Sequence, residues 1–277
     1  MSRVVIIAAM EREVKPLVRE WRRSSTSDGA RNFQTFEKEE RVVVISGIGS
    51  KHAETAARAA VAQYRPEQLV SVGLAGALIR SLKAGSVFTP NVVVDATDGT
   101  EYRSTPAYAK AAHAGGPGAA EIGGAVGGGV LVSADEIAGI EAKQKLVERF
   151  HALVVDMEAA GVAKAAQEAQ VAFRCVKAIS DEADFVMQPL AKFVDVTGNF
   201  QSGRFAGWAA MRPWQWLRVA KLSRNAAKAT RALCEWLEKN LAESSVPAEV
   251  VTLKRAELRD VVPGREGVSA LKSGQIE

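Results

Sequence analysis

The chain has 277 residues, 47% hydrophobic and 25% charged, with a net charge of +4 and a pI near 9.1. That balance excludes wholesale disorder and fits a globular protein with a sizeable core. No uninterrupted apolar stretch approaches the roughly 20 residues that cross a bilayer, and the apolar run 4–9 turns acidic where a signal peptide would continue. The two cysteines, Cys175 and Cys234, make neither a disulfide framework nor a metal spacing, so reduced, buried thiols in a cytoplasmic protein are expected.

Short apolar, β-branched runs predict strands at 4–9, 42–46, 69–72, 86–94, 129–132, 152–155 and 173–179. Alanine-rich stretches at 52–63, 137–150 and 159–170 predict helices between them. Such alternation implies crossovers and a largely parallel α/β sheet covered on both faces. The segment 33–38, followed by Glu39 and Glu40, reads instead as an edge hairpin with the second strand. Glycine crowds the segment 113–129, which is expected to form a loop, and 188–208 reads as a second irregular region that serves as a lid or interface.

From 213 to 241 a helical period returns, with Trp214, Leu217, Leu222, Ala226, Ala229, Leu233, Trp236 and Leu237 along one stripe and Pro213 suited to its first turn. The segment 204–239 carries eight Lys and Arg against Glu235 and Glu238. A solvated or sheet-packed helix accounts for this; an anionic membrane surface is the competing reading, and nucleic acid is not expected as a partner. Residues 1–243 are expected to form one catalytic domain and 244–277 a polar, poorly ordered tail.

Three carboxylates fall just after predicted strands: Glu13, Glu158 and Asp181. Ligands in open α/β sheets bind beyond the carboxyl ends of parallel strands, so these acids can converge on one substrate. In VVDMEAAGVAKAA, Asp156 suits a helix cap, and Glu158 suits the first turn. Met157 beside Glu158 also gives an apolar, polarizable cover next to an acceptor, a pairing that a sugar requires. Glu11 competes with Glu13, since EREV offers both; surface helix charges are the plain alternative for each.

At these residues the chain resembles the nucleoside phosphorylase and nucleosidase superfamily, in particular the 5′-methylthioadenosine/S-adenosylhomocysteine nucleosidases. The resemblance spans about residues 3–185 and rests on IIAAMEREV, SGIGSKHAETAARAA, SVGLAGAL, LVSADEI, VVDMEAAGVAKAA and VKAISDEAD in the family's order. It implies that Met157 and Glu158 hold the ribose and that Asp181, after Ser180, protonates the departing purine. It further implies that Glu13 orients and deprotonates the attacking water, with Ala75 and Gly76 lining the nucleoside pocket and no metal or organic cofactor. The chemistry is consistent with those roles, because protonating the base improves it as a leaving group, and a desolvated carboxyl can hold the proton. Ile137 and Ala138 stand where the family carries an aromatic against the base, which leaves the stacking partner open.

The resemblance also implies a homodimer acting on a small purine nucleoside. Hydrolysis is the leading expectation. A phosphorylase, with Arg12, Arg80 or Arg103 around the anion and a larger or lipid-linked adenosyl substrate within its range, is the alternative; a non-catalytic nucleoside-binding protein is the second. His52, near the GIG turn, is a further candidate for ligand contact.

Overall fold

The computed structural model describes residues 3–105, 120–122, 125–135, 140–185, 190–195 and 198–241. The expected tail at 244–277, and Ile137 with Ala138, lie outside the described residues. In chain order the elements begin with β1 (Val4–Ala8), α1 (Glu11–Val18), β2 (Arg22–Ser27), β3 (Asn32–Lys38), β4 (Arg41–Ile45), α2 (Ser50–Tyr64) and β5 (Gln68–Ala77). They continue with β6 (Val87–Thr89), β7 (Val92–Asp95), β8 (Glu101–Arg103), β9 (Ala120–Ile122), β10 (Ala125–Gly127), β11 (Val130–Ser133), α3 (Ile140–Phe150) and β12 (Ala152–Asp156). The last are α4 (Ala159–Ala169), β13 (Ala172–Asp181), α5 (Ser202–Ala210) and α6 (Trp216–Leu241).

Four parallel strands, β4, β1, β5 and β13, lie side by side, fully buried or nearly so on their apolar residues. A second parallel block, β7, β11 and β12, joins the first where β12 runs antiparallel to the end of β5, Val154 opposite Ala77 and Val155 opposite Gly76. This junction decides where function can sit. The carboxyl ends of β1, β5 and β13 emerge together, and β12 delivers the residues after Asp156 to the same place.

Alanines do most of the packing on one face. Ala53, Ala56, Ala57 and Ala60 of α2 meet Ala159, Ala160, Ala163 and Ala166 of α4 over the sheet. Alanine has the best helix propensity and the shortest side chain, so the two helices come close; a Cβ on Gly161 would stand 2.0 Å from the Ser50 carbonyl oxygen. The opposite face is covered by Val14, Leu17 and Val18 of α1 and by Ala229, Leu233, Trp236 and Leu237 of α6.

Several expected elements differ. The run 86–94 is two strands, because Pro90 has no N–H to continue a ladder and breaks it into β6 and β7. The glycine-rich segment is not loop throughout: β9 and β10 pair antiparallel, and β10 joins β6 in parallel. The region 188–208 contains a 3₁₀ turn, Leu190–Phe193, and α5. Strand β2, RRSSTS, carries no apolar alternation; it exists through its ladder to β3 and the Arg22–Glu37 ion pair across the two strands. The C-terminal stripe is also split. Ala229, Leu233, Trp236 and Leu237 are buried, but Trp214 and Leu217 face solvent.

Candidate active site

The site forms where β1, β5, β12 and β13 end. Ala9, Met10, Glu13, Leu74, Ala75, Gly76, Met157, Glu158, Ser180 and Asp181 line one cavity, joined by Arg12, Lys143, Asp156, Phe185, Phe200, Leu222 and Ala226. The three carboxylates picked out by sequence are therefore brought together, along with Met157, Ala75, Gly76 and Ser180. Arg80 and Arg103 do not line it, and His52 instead bonds Arg31 through Nδ1 at 2.6 Å.

Glu13 stands in the third position of α1, and its carboxylate turns back into the cavity wall. Oε2 accepts from the Met10 N–H at 3.1 Å, the backward reach of an N-terminal glutamate, and Oε1 accepts from the Leu74 N–H at 3.4 Å. Gly73, at φ +142°, makes room: a Cβ there would lie 3.3 Å from Oε2. Burial raises the Glu13 pKa above its ordinary value, against Lys177 and the two amides, which lower it. Glu11 points elsewhere, bonding Arg23 at 2.9 Å and Gln34 at 3.1 Å on the surface.

Glu158 begins α4 but does not cap it. The cap comes from Asp156, whose Oδ2 accepts from the Ala159 N–H at 2.9 Å. Freed from that role, Glu158 Oε1 accepts from the Gly49 N–H at 3.0 Å. Burial pushes its pKa up to about 7, with Lys177 pulling down and Asp156 and Glu13 pushing up.

Asp181 is the last residue of β13. Its Oδ1 accepts from the Ser180 hydroxyl at 3.0 Å, and its Oδ2 meets the Lys143 ammonium at 2.8 Å. Desolvation alone, the expectation from sequence, is thus not its environment: a buried lysine from α3 faces it and also donates to the Glu182 carbonyl at 3.2 Å. Gly76 sits directly beneath, where a Cβ would come within 2.8 Å of Oδ2.

Sequence reasoning missed two lysines and the depth of one aspartate. Lys177, buried in β13, pairs with Asp156 at 2.7 Å and donates to the Val72 carbonyl at 3.3 Å. Asp156 also accepts from Ser133 at 2.5 Å, so the start of LVSADEI braces α4 through Asp156. A polar residue in a ten-residue strand otherwise buried was the available signal for Lys177; Lys143, on an amphipathic helix, gave none.

The GIG turn spends its amides internally. Gly49 N–H goes to Glu158, Ile48 N–H to the Gly198 carbonyl and Gly47 N–H to the Ala9 carbonyl. A phosphate nucleophile requires such donors, and here a carboxylate already holds one of them.

The family model of the phosphorylase superfamily matches residues 3–203. The 5′-methylthioadenosine/S-adenosylhomocysteine nucleosidase of Staphylococcus aureus strain JH9 is 33% identical over 196 residues, 65% of this chain and 86% of that protein. Among solved structures, the 5′-methylthioadenosine/S-adenosylhomocysteine nucleosidase of Helicobacter pylori in complex with a substituted pyrrolidin-3-ol aligns with a TM-score of 0.62 at 19% identity, covering 87% of this chain and 98% of its own. The futalosine hydrolase of Helicobacter pylori aligns with the same TM-score at 20% identity and the same coverage. The Neisseria meningitidis nucleosidase with methylthio-immucillin-A aligns at 0.60 and 22% identity, over 86% and 100%. The structural matches carry the fold, and the profile and the curated relative carry the lineage: this chain belongs to the phosphorylase superfamily.

Proposed function

We propose that this protein hydrolyses the N-glycosidic bond of an adenine nucleoside of the 5′-methylthioadenosine or S-adenosylhomocysteine type, releasing adenine and the ribosyl product. The carrying observation is the convergence of Glu13, Glu158 and Asp181 on one cavity, two of them oriented by backbone N–H groups. Glu158 accepts from ribose hydroxyls while Met157 covers the sugar. Asp181 passes a proton to the departing base, which develops negative charge as the bond lengthens. Lys143 stabilises the carboxylate left behind and fixes its position. Glu13 takes the proton from the water that attacks the sugar's anomeric carbon. Lys177 sets the field between Glu13, Asp156 and Glu158 without touching substrate.

Water is favoured over phosphate as nucleophile. Glu13 would repel an anion, and the GIG amides are committed to protein acceptors. Arg12 lines the cavity but packs its guanidinium over the Phe200 ring, 5.0 Å from the centroid. Relatives named both for methylthioadenosine and for futalosine agree with a 5′ end that varies within this fold.

Product analysis tests the reading. Incubating the purified protein with 5′-methylthioadenosine, S-adenosylhomocysteine or adenosine, in phosphate-free buffer, is expected to give free adenine and free sugar. A strict phosphate requirement with a sugar 1-phosphate product would replace it with the phosphorylase.

A further inference from the structure

The five large hydrophobic residues that stand exposed among the described residues are not scattered. Four of them fall within seven positions: Met211 (77% exposed), Trp214 (70%), Trp216 (56%) and Leu217 (85%). They occupy the turn between α5 and α6 and the first turn of α6, and none of the three core clusters includes them. The turn is braced. Trp216 Nε1 donates to the Ala209 carbonyl at 2.9 Å, Arg212 donates to the Trp208 carbonyl at 3.2 Å, and the Arg212 guanidinium lies 4.9 Å from the Trp208 ring centroid. Phe205 and Trp208 of α5 pack with Phe193 and Phe200 in one aromatic cluster.

Charge completes the picture. Between Asp195 and Glu235 the sequence has seven Lys and Arg and no Asp or Glu. Arg204 of α5 and Arg218 and Arg224 of α6 are exposed, while Lys221 reaches Glu182 at 3.6 Å. A helix with exposed tryptophan and leucine on a basic background is the composition that lies in a bilayer interface, its rings at headgroup level and its cations on anionic lipid. No described helix is long and apolar enough to cross the membrane.

We propose that the α5–α6 edge docks this protein peripherally on an anionic lipid surface. A second copy of the chain fits it less well: a two-fold contact centred on this edge would set Arg212, Arg218 and Arg224 of one protomer against the same residues of the other. Phe200, Leu222 and Ala226, next along the same segment, line the active-site cavity, so docking brings one wall of that cavity to the interface.

Sedimentation of the full chain with vesicles of pure phosphatidylcholine, or of phosphatidylcholine and phosphatidylglycerol in equal parts, tests this. Binding is expected to be at least about tenfold tighter to the anionic vesicles and to be lost in about 0.5 M sodium chloride. The double variants W214S/L217S and R218E/R224E are each expected to weaken it by about tenfold while keeping the wild-type melting temperature, since all four side chains are exposed. No binding to either vesicle, or equal binding to both, overturns the proposal. So does a wild-type dimer in sedimentation velocity that W214S/L217S converts to monomer, which would assign the edge to a second copy.

Discussion

Asp181 and Lys143 form a pair that can be separated by mutation. Asp181→Asn removes the proposed proton donor but keeps shape, and kcat is expected to fall by about 10²- to 10⁴-fold with nucleoside binding retained, read by single-turnover rates and by equilibrium binding of a non-hydrolysed analogue. Lys143→Met keeps the bulk of the side chain and removes only the ammonium. If Lys143 positions Asp181 and carries its developing charge, kcat falls by about tenfold or more, KM changes little, and Lys143→Arg recovers part of the loss. A rise in KM with unchanged kcat would instead make Lys143 a binding residue. Glu13→Gln is expected to cost about 10²-fold or more in kcat/KM and to abolish the acidic limb of the pH profile. That limb should lie above the ordinary glutamate value of 4.5, because burial raises the Glu13 pKa and the base must be ionised to work. Glu13, Glu158 and Asp181 were legible in sequence because each sits at a strand-to-helix step or strand end, where chain order alone fixes the direction. Lys143 was not, since its meeting with Asp181 depends on how α3 lies over the sheet, and that is a tertiary fact.

The strands β5 and β13 run past their predicted ends, and the extra residues are the ones that matter. Sequence marked 69–72 and 173–179 because their apolar content is continuous; the small, glycine-rich residues that follow 72 fell outside that run, yet Gly73 to Gly76 pair with Lys177 to Asp181, with a register shift between Ile179 and Asp181. Small residues there serve clearance more than propensity. Gly76→Ala is the test: its Cβ would meet Asp181 Oδ2 at 2.8 Å, so the carboxylate must shift off Lys143. Turnover is expected to fall by about tenfold or more with only a small loss of stability, and a fully active variant would show that Asp181 needs no fixed seat. Elements without an apolar period stayed hidden for a different reason. β2, β9 and β10 are held by ladder hydrogen bonds to a neighbouring strand, and only Thr26 of β2 is buried among its residues, so the usual period-2 signal never formed.

Over the whole molecule, the charges proposed for catalysis and those that brace the fold share one interior. Glu13, Asp156, Glu158 and Lys177 are all buried where the two parallel blocks of the sheet meet, and three carboxylates face one ammonium. Burial raises the Glu158 pKa to about 7, and Lys177, paired most closely with Asp156 at 2.7 Å, offsets only part of it. A carboxylate whose pKa is raised on folding binds its proton more tightly in the native state than in the unfolded chain. Its contribution is therefore fully present below about 4.5, the unfolded value, and is lost as pH rises through about 7. At about 1.4 kcal/mol per pH unit, that is of the order of 3 kcal/mol, a sizeable part of a typical folding free energy. Glu13 acts in the same direction. The free protein should consequently melt several degrees higher near pH 5 than near pH 8, and Glu158→Gln, which carries no titrating group, should flatten that slope and gain on the wild type as pH rises. Thermal melts of both proteins across this range decide it. Parallel curves would mean that Glu158 is not the strained member of the cluster, and that its hydrogen bond from Gly49, with the field of Lys177, fully offsets the cost of burying it as an anion.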